Sequence, residues 1–338
     1  MIVKAWAPNR ILDFGGWTDT WFAQRGAVLN FAVDLYAQAV VSTRARPGVS
    51  ITAEDFGETV EIVSPGDAAY DGKHDLLKAA VNVMGIDRVD AYVYSDVPAG
   101  CGTGSSAAVS VALLGALALL TGRYYRPHEI ARLAHELETK ELKIESGVQD
   151  QIAAAVGGIG YHSIEPYPAV STSPIRLRPE VVWELESRLL LVYTGERHLS
   201  SDVHRKVIGD YQAGREETVA AMEILRATPG KAAMALWQGD LNAFAEVMNE
   251  NNAAQKRLHP DISTPQIEEI ERLACKYVGE HFPSLRNGVS GRGLRQAKTP
   301  GAPQEFVFDF SGDGPGGSQR LRLVLNGEGR VVKVAASH

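Results

Sequence analysis

A glycine-rich turn between an apolar strand and an apolar helix restricts most strongly how this chain can fold. Residues 91–94 (AYVY) have the aromatic and β-branched side chains typical of strands, and residues 107–120 are apolar on nearly all sides, as in a buried helix. Between them stand Gly100, Gly102 and Gly104. Glycine tolerates backbone conformations closed to other residues and lets a ligand approach the main chain. The stretch therefore predicts a strand, a ligand-facing loop and a helix.

The start of that helix gives the loop the properties of an anion-binding site. The first amides of a helix have no partner within it and carry the positive end of its dipole, and Ser105 or Ser106 could cap them. Two common phosphate loops do not fit. A Walker loop needs a lysine after its last glycine, and a dinucleotide fingerprint needs a third glycine where Ser105 stands. The alternative is an ordinary glycine-rich turn.

The composition favours a protein that acts on small molecules. The chain has 338 residues, of which 45% are hydrophobic, so it can bury a large core and form two domains. Its net charge of -7 gives no attraction for nucleic acid or for an anionic membrane. Cys101 and Cys275 form neither a metal-binding pair nor a disulfide framework. Without a leader-like or membrane-spanning apolar run, we expect a cytoplasmic enzyme.

A second polar turn lies near the N-terminus. Residues 10–19 read RILDFGGWTD and stand between two strand-like runs, 1–12 and 27–33, of which the first is expected to break at Pro8. Glycine, arginine, threonine and aspartate in one turn could face a ligand. A solvated hairpin is the alternative.

Periodicity and turn residues predict the remaining elements. Strands are expected at 40–43, 50–53, 59–63 and 189–195, and helices at 75–84, from Pro127 onward, and at 201–225, 230–238, 241–258 and 265–277.

The two turns together resemble the motifs of the GHMP kinases, the family of galactokinase, homoserine kinase, mevalonate kinase and phosphomevalonate kinase. Residues 98–107, PAGCGTGSSA, match the family pattern P-x-x-x-G-L-G-S-S-A except at Thr103. Residues 7–10 and 15–19 match its first motif, A-P-x-R followed by G-x-x-T-D. The form FGGWTDT is most similar to the subgroup of heptose 7-phosphate kinases and L-fucokinase. Galactokinase has glutamate and histidine in place of Gly16 and Trp17.

The resemblance implies an α+β protein with the GHMP kinase fold. Residues 1–187 would form an ATP-binding N-terminal domain like domain 2 of ribosomal protein S5, and residues 188–338 a ferredoxin-like C-terminal domain. The family's third motif, a glycine-rich turn, is best matched by residues 311–318, with 290–293 as the second choice. The likeness is looser in this C-terminal part.

The resemblance also implies roles for single residues. Asp150, in the segment GVQDQ, takes the place of the family's proposed catalytic aspartate, and Arg10 would stabilise it or the transferring phosphoryl group. Mg²⁺ would be bound by Ser106 and Glu138, with Glu141 as the fallback. The residues expected to bind ATP are Pro98, Gly100, Cys101, Gly102, Thr103, Gly104, Ser105, Ser106 and Ala107. Those expected to bind the substrate are Gly15, Gly16, Trp17, Thr18, Asp19, Gly147 and Gln149, with Asp19 on sugar hydroxyls.

The implied activity is ATP-dependent phosphorylation of the anomeric (C1) hydroxyl of a sugar or sugar phosphate, such as a heptose 7-phosphate or a fucose-like sugar. One alternative is a ligand sensor of this fold without catalysis, against which the presence of Asp150, Arg10 and both serines weighs. Another is a kinase or decarboxylase acting on a non-sugar alcohol such as an isoprenoid precursor, which the GGWTD turn disfavours. The identity of the sugar, its phosphorylation and the oligomeric state, a homodimer among the options, stay open.

Overall fold

The structure, a computed structural model, describes residues 1–64, 66, 68–189, 200–262, 272–273, 276–277, 280, 289–295, 305–314, 317–326 and 330–337. Its contacts divide the chain into two compact units. Unit 1 comprises Met1–Arg176 and Arg197–His259, and unit 2 comprises Leu177–Glu196 and Pro260–His338. The family boundary expected between residues 187 and 188 stays a prediction, while the contacts group residues 197–259 with the N-terminal part.

Unit 1 contains a seven-stranded sheet. Its strands are β1 (Ile2–Phe14), β2 (Gly26–Thr43), β3 (Val49–Ala53), β4 (Glu58–Ile62), β5 (Val89–Ser95), β6 (Ile159–Ile164) and β7 (Val170–Pro174). They follow the order β4-β3-β5-β2-β6-β7, and β1 also pairs with β2. Neighbours are antiparallel except for β3 and β5, which run parallel. The long β2 therefore connects the strands on both sides of it.

The helices of unit 1 pack on this sheet and on one another. They are α1 (Asp75–Met84), α2 (Ser105–Leu120), α3 (Pro127–Glu136), α4 (Gln149–Val156), α6 (Ser200–Gln212), α7 (Glu216–Gln238) and α8 (Leu241–Leu258), while α5 (Pro179–Arg188) belongs to unit 2. Helix α2 contacts β1 and β2 and is buried on nearly all sides, as predicted. No helix among the described residues is long and apolar enough to span a membrane.

Two strands are longer than the sequence predicts. The break expected at Pro8 is wrong, because β1 continues past it through a register shift between Pro8 and Arg10. Such a bulge absorbs an unpaired residue and bends the strand without ending it. The runs at 27–33 and 40–43 belong to one strand, β2.

The helix boundaries around Pro229 also differ from the prediction. Helix α7 continues through Pro229, and the interruption lies instead between α6 and α7, where Gly214 has φ 70°. Proline lacks the amide that would bind the carbonyl of Leu225. The Thr228 hydroxyl lies 3.0 Å from that carbonyl oxygen and 2.8 Å from Oδ1 of Asn251, and its single proton can be donated to either acceptor. Helices α1 and α8 have the predicted bounds.

Unit 2 contains α5 and a four-stranded sheet with the order β11-β10-β9-β8. These strands are β8 (Val289–Arg295), β9 (Glu305–Gly314), β10 (Gly317–Asn326) and β11 (Val331–Ser337), each antiparallel to its neighbour. The predicted glycine-rich turn at 311–318 includes the paired ends of β9 and β10, and residues 315 and 316 lie outside the described set. The second choice, 290–293, lies in β8. Residues 190–195 of the strand predicted at 189–195 and most of the helix predicted at 265–277 lie outside the described residues.

Candidate active site

A cavity of about 800 Å³ opens in unit 1 along the glycine loop. At what we call the apolar end, the lining includes Phe56, Leu76, Leu77, Val93, Val97 and Val109, and the cavity lining also contains Asp55, Glu58, Lys73 and His74. At what we call the acidic end, it includes Arg10, Asp13, Trp17, Asp19, Gln149, Asp150 and His204. The loop also lines the cavity, through Ala99, Gly100, Cys101, Gly102, Gly104, Ser105 and Ser106. One space therefore adjoins both polar turns that the sequence singles out.

The loop has the backbone that its glycines suggest. Gly100, Gly102 and Gly104 all have left-handed φ angles of 79°, 79° and 68°. Gly104 is the N-cap of α2, and Ser105 is already the first helical residue, so the expected serine cap is wrong. A left-handed glycine makes the turn into the helix without a side-chain cap. The first amides of α2 thus have no side-chain acceptor.

Two of these glycines have different surroundings. A Cβ atom on Gly104 would lie 3.1 Å from Cγ of Asp150, whereas one on Gly102 would meet nothing within 4 Å. Gly104 therefore allows the close approach of α4, and Gly102 borders open space.

Three of the residues expected to bind ATP do not line the cavity: Pro98, Thr103 and Ala107. Thr103 and Ala107 are buried beneath the loop. The Thr103 carbonyl accepts a hydrogen bond from the backbone amide of Arg10 at 3.0 Å, which ties the loop to β1.

The two residues predicted to be catalytic contact each other beside the loop. Nε of Arg10 donates to Oδ1 of Asp150 at 2.8 Å, and Nη1 donates to the Gly102 carbonyl at 2.9 Å. Burial alone would lower the pKa of Arg10, but the charges of Asp150 and Asp13 raise it above its ordinary value. Arg10 is therefore a permanent cation that fixes the Asp150 carboxylate in the first turn of α4.

Asp19 supports the helix that carries Asp150. It is 1% exposed, and its Oδ2 accepts hydrogen bonds from the amides of Val148 and Gln149, both at 2.9 Å. This arrangement satisfies the N-terminus of α4. A Cβ atom on Gly147 would lie 2.0 Å from the same oxygen, so only glycine fits there. Burial raises the pKa of Asp19 to about 6.

The other residues of the first turn divide into two groups. Gly15, Gly16 and Thr18 do not line the cavity. The Thr18 hydroxyl lies 2.7 Å from the Gly15 carbonyl oxygen, and a Cβ atom on Gly15 would lie 2.1 Å from the Ala27 carbonyl oxygen, so these residues shape the turn. Trp17 does line the cavity and packs edge-on against His204, with 4.7 Å between ring centroids.

Sequence reasoning assigned no role to two side chains at the acidic end. Asp13 lies within the first turn, its Oδ2 accepts a hydrogen bond from Nε2 of Gln255 at 3.1 Å, and burial raises its pKa. Its position among the other polar residues of the turn was the available signal. His204 is on α6, Nδ1 lies 3.3 Å from the Glu145 carbonyl oxygen, and burial lowers its pKa. No local pattern marks that histidine.

Glu138 has the surroundings of a cation ligand but does not itself line the cavity. It is 5% exposed in a π-helical turn (Leu137–Glu141), where burial raises its pKa to about 7. Its Oε2 accepts from Nε2 of Gln151 at 2.9 Å, and its Oε1 has no hydrogen-bond partner among the residues that the structure describes. Glu141 instead accepts a surface hydrogen bond from Tyr70 at 2.6 Å.

The residues present fit a metal ion that is held mainly by a bound ligand. Within the described ranges, no three or more His, Cys, Asp or Glu side chains are grouped around a possible metal position. Magnesium commonly uses one or two protein carboxylates together with phosphate oxygens and water. Glu138, whose buried Oε1 has no partner among the described residues, would supply the carboxylate, and Ser106, which lines the cavity, would supply a hydroxyl.

The chain is similar to known proteins in sequence and in fold. Residues 74–158, which include the glycine loop, Glu138 and Asp150, match the family described as GHMP kinases N terminal domain. The chain is 28% identical over 281 residues to D-glycero-alpha-D-manno-heptose 7-phosphate kinase of Campylobacter jejuni, covering 80% of this chain and 82% of the relative.

Two further comparisons agree with these. The bifunctional fucokinase/GDP-fucose pyrophosphorylase of Arabidopsis thaliana is 27% identical over 87% of this chain, which corresponds to 30% of that longer protein. A crystal structure of a D-glycero-D-manno-heptose 1-phosphate kinase from Bacteroides thetaiotaomicron superposes with a TM-score of 0.65 and 26% identity, covering 76% of this chain and 80% of the other.

Proposed function

We propose that this chain, whose residues 74–158 match the GHMP kinases N terminal domain, is an ATP-dependent sugar kinase that phosphorylates the anomeric hydroxyl of its substrate. The observation that carries this proposal is the contact of Asp150 with Arg10 beside the glycine loop. It combines a carboxylate, a permanent cation and unpaired helix amides at one border of the cavity. Phosphoryl transfer depends on positioning and on charge stabilisation, and this set supplies both.

Asp150 is the proposed base for the acceptor hydroxyl. Its carboxylate is oriented by Arg10, and α4, which carries it, is fixed by Asp19. We propose that Asp150 accepts the hydroxyl proton as the oxygen attacks the γ-phosphorus of ATP and ADP leaves, and that Arg10 holds the carboxylate in position for this. Arg10 also places positive charge next to the Gly102 carbonyl, where negative charge of the transferred group would be stabilised.

The nucleotide would bind along the loop and the apolar end. The N-terminus of α2 and the open space beside Gly102 suit phosphate oxygens, and the apolar side chains suit a flat base. Ser106 and Glu138 would hold Mg²⁺, which neutralises phosphate charge when it is bound.

The likeness to a heptose 7-phosphate kinase and a fucokinase supports the anomeric hydroxyl as the acceptor. That hydroxyl is the most acidic of a sugar ring, so it makes the smallest demand on a base such as Asp150.

ADP release measured across free sugars, sugar phosphates and mevalonate tests the proposal. We expect a sugar to be consumed, with a product that has lost its reducing end and carries an acid-labile phosphate. A product that still reduces alkaline copper and resists mild acid would contradict anomeric transfer. Turnover of mevalonate alone would contradict the sugar class, and ATP binding without turnover of any acceptor would indicate a sensor.

A further inference from the structure

Asp13 carries a carboxyl group at the acidic end to which no motif gives a role. It lines the cavity and stands on β1 shortly after Arg10. Asp13 is partly exposed, whereas Asp19, the residue expected to bind sugar hydroxyls, is 1% exposed and accepts two backbone amides through Oδ2. Of these two side chains, Asp13 is therefore the more accessible acceptor for a ligand.

Helix α8 fixes the position of this carboxyl group. Nε2 of Gln255 donates to Oδ2 of Asp13 at 3.1 Å. One turn earlier, Nδ2 of Asn251 donates to the Asp13 carbonyl oxygen at 3.4 Å, and its Oδ1 accepts from the Gly15 amide at 3.0 Å. Residues four apart lie on the same face of a helix. One face of α8 thus holds both the backbone and the side chain of Asp13.

The environment of Asp13 is that of a functional acid. A Cβ atom on Gly16 would lie 2.8 Å from its Oδ2, so the turn leaves room for the carboxyl group only where it has no side chain of its own. Burial raises the pKa of Asp13, and acids with perturbed pKa values in a cleft are concentrated at functional sites. Whether ionised or protonated, a carboxyl group has an oxygen that can accept a hydroxyl proton.

The neighbours of Asp13 match other parts of a sugar. Asp150, the proposed base, and Trp17 line the same end of the cavity. An aromatic ring can cover the C–H face of a sugar, while a carboxyl oxygen accepts hydrogen bonds from its hydroxyl groups. A substrate whose reacting hydroxyl lies at Asp150 therefore has Asp13 available as a partner for another hydroxyl.

We infer that Asp13 is a substrate-binding residue, which accepts a hydrogen bond from a non-reacting hydroxyl of the sugar, and that Gln255 is the positioning residue that orients it. This inference rests on the proposed function and adds a specificity contact to it. It requires a hydroxyl at one fixed position of the sugar, whether or not the sugar carries a phosphate elsewhere.

The test removes the contact from the sugar and from the protein. The sugar that gives the fastest ADP release is compared with its deoxy analogues, each of which lacks one non-reacting hydroxyl. In the unmodified protein, one analogue should lose about tenfold or more in kcat/KM. In Asp13→Ala, kcat/KM for the parent sugar should fall by a similar factor. The same analogue should then lose less than about threefold further, because its partner is already absent.

Gln255→Ala tests the positioning role and does not depend on the folding of Asp13→Ala. It should raise KM for the sugar by about fivefold and reduce the loss shown by that one analogue, with KM for ATP unchanged. A merely structural role would instead affect ATP and all analogues alike. Asn252→Ala, at an exposed amide of α8, is the matched control and should leave both KM values unchanged.

The outcomes separate the inference from the proposed function. If no single analogue loses activity selectively, or if its full loss persists in Asp13→Ala or in Gln255→Ala, the inference is overturned and the kinase stands. Absence of ADP release with every sugar, free or phosphorylated, would overturn the proposed function and the inference together.

Discussion

Four carboxylates in and beside the cavity differ in the groups that donate hydrogen bonds to them. Asp150 is bound by a cation, Asp19 by two backbone amides, and Asp13 and Glu138 by neutral amide side chains. Burial raises the pKa of Asp13, Asp19 and Glu138, so each is costly to ionise. Among these four carboxylates, Asp150 is paired with a permanent cation, Arg10, next to the loop. This pairing favours Asp150 as the base.

We expect Asp150→Asn to leave ATP binding nearly unchanged and to lower kcat by about 100-fold or more, or roughly 3 kcal/mol of transition-state stabilisation. Asparagine can keep the hydrogen bond to Arg10 but cannot accept the proton. Calorimetry for ATP and steady-state kinetics measure the two effects, with Asp34→Asn as the control of equal charge change. A kcat close to that of the unmodified protein would remove Asp150 from the proposed role.

Glu138 makes the stability of the protein depend on pH. Burial raises its folded pKa from 4.5 to about 7, so the folded state binds more protons than the unfolded state between these values. The contribution of Glu138 to stability is therefore greatest below pH 4.5 and falls as the pH rises through 7.

Glu138→Gln should accordingly be more stable than the unmodified protein at pH 8, by up to roughly 3 kcal/mol, with the difference vanishing near the unfolded pKa. Urea unfolding at several pH values measures this, and Glu141→Gln on the surface of the same turn is the control. If Glu138 binds Mg²⁺, adding the ion at pH 8 should stabilise the unmodified protein and not Glu138→Gln. Equal pH slopes for both proteins would contradict the burial of an ionisable group.

Helices α2 and α4 begin next to each other, and this arrangement makes the site. The N-cap of α2, Gly104, faces Asp150 in the first turn of α4, and the N-terminus of α4 is bound by Asp19. Two helix N-termini of positive polarity thus adjoin one cavity. Gly102 precedes α2 and Gly147 precedes α4, and each position requires glycine for a different reason. A substitution at each one tests its reason separately.

Gly102→Ala should weaken ATP binding by about tenfold or more, because its Cβ would occupy the space proposed for phosphate oxygens. The left-handed backbone adds a strain of about 1–2 kcal/mol. Gly122→Ala is the matched control, since Gly122 has φ 71°, has nothing within 4 Å of its Cβ position, and follows the far end of α2. Its ATP affinity should be unchanged; equal losses in both variants would contradict the phosphate site.

Gly147→Ala should displace Asp19, since the new Cβ would lie 2.0 Å from its Oδ2. We expect a loss of about 1–3 kcal/mol in unfolding free energy as the amides of α4 lose their acceptor, together with lower kcat. Gly209→Ala, on a helix and with open space around it, should be neutral or slightly stabilising. Denaturant unfolding compares the two, and an unaffected Gly147→Ala would show that Asp19 does not fix α4.

Unit 1 is assembled from segments that are far apart in the chain. Phe244 of α8 packs against Phe14 of β1 and Phe31 of β2, with centroid distances of 5.2 and 5.9 Å. Oδ1 of Asn251 accepts from the Gly15 amide at 3.0 Å. The first turn, which carries Asp13 and Trp17, is therefore supported by helices more than two hundred residues later in the sequence.

Phe244→Ala should cost about 3–5 kcal/mol of unfolding free energy, since the ring is 2% exposed and its removal leaves a cavity. Trp237→Ala, on α7 with the ring 64% exposed, should cost far less and serves as the control. Chemical denaturation followed by circular dichroism measures both. Equal effects would show that α8 does not stabilise the sheet.

Short stretches of sequence were sufficient to predict the glycine loop and the positions of several helices. The bounds of α1 and α8 and the buried character of α2 follow from local periodicity, and the left-handed glycines of the loop are a property of the residues themselves. The resemblance to the family motifs also predicted that Arg10 and Asp150 lie in one site, because the residues of these motifs share the active site in the family. Local patterns could not show that β1 continues past Pro8 or that α7 continues past Pro229.

The sequence by itself thus determined the loop and the residues of the two turns, since each depends on neighbours within a few positions, and the resemblance of its motifs implied the α+β class. Only the tertiary structure decided that Asp19 binds the N-terminus of α4, that Gln255 meets Asp13 and that His204 meets Trp17. These contacts join residues more than a hundred positions apart. Their partners are chosen by how the sheet and helices pack.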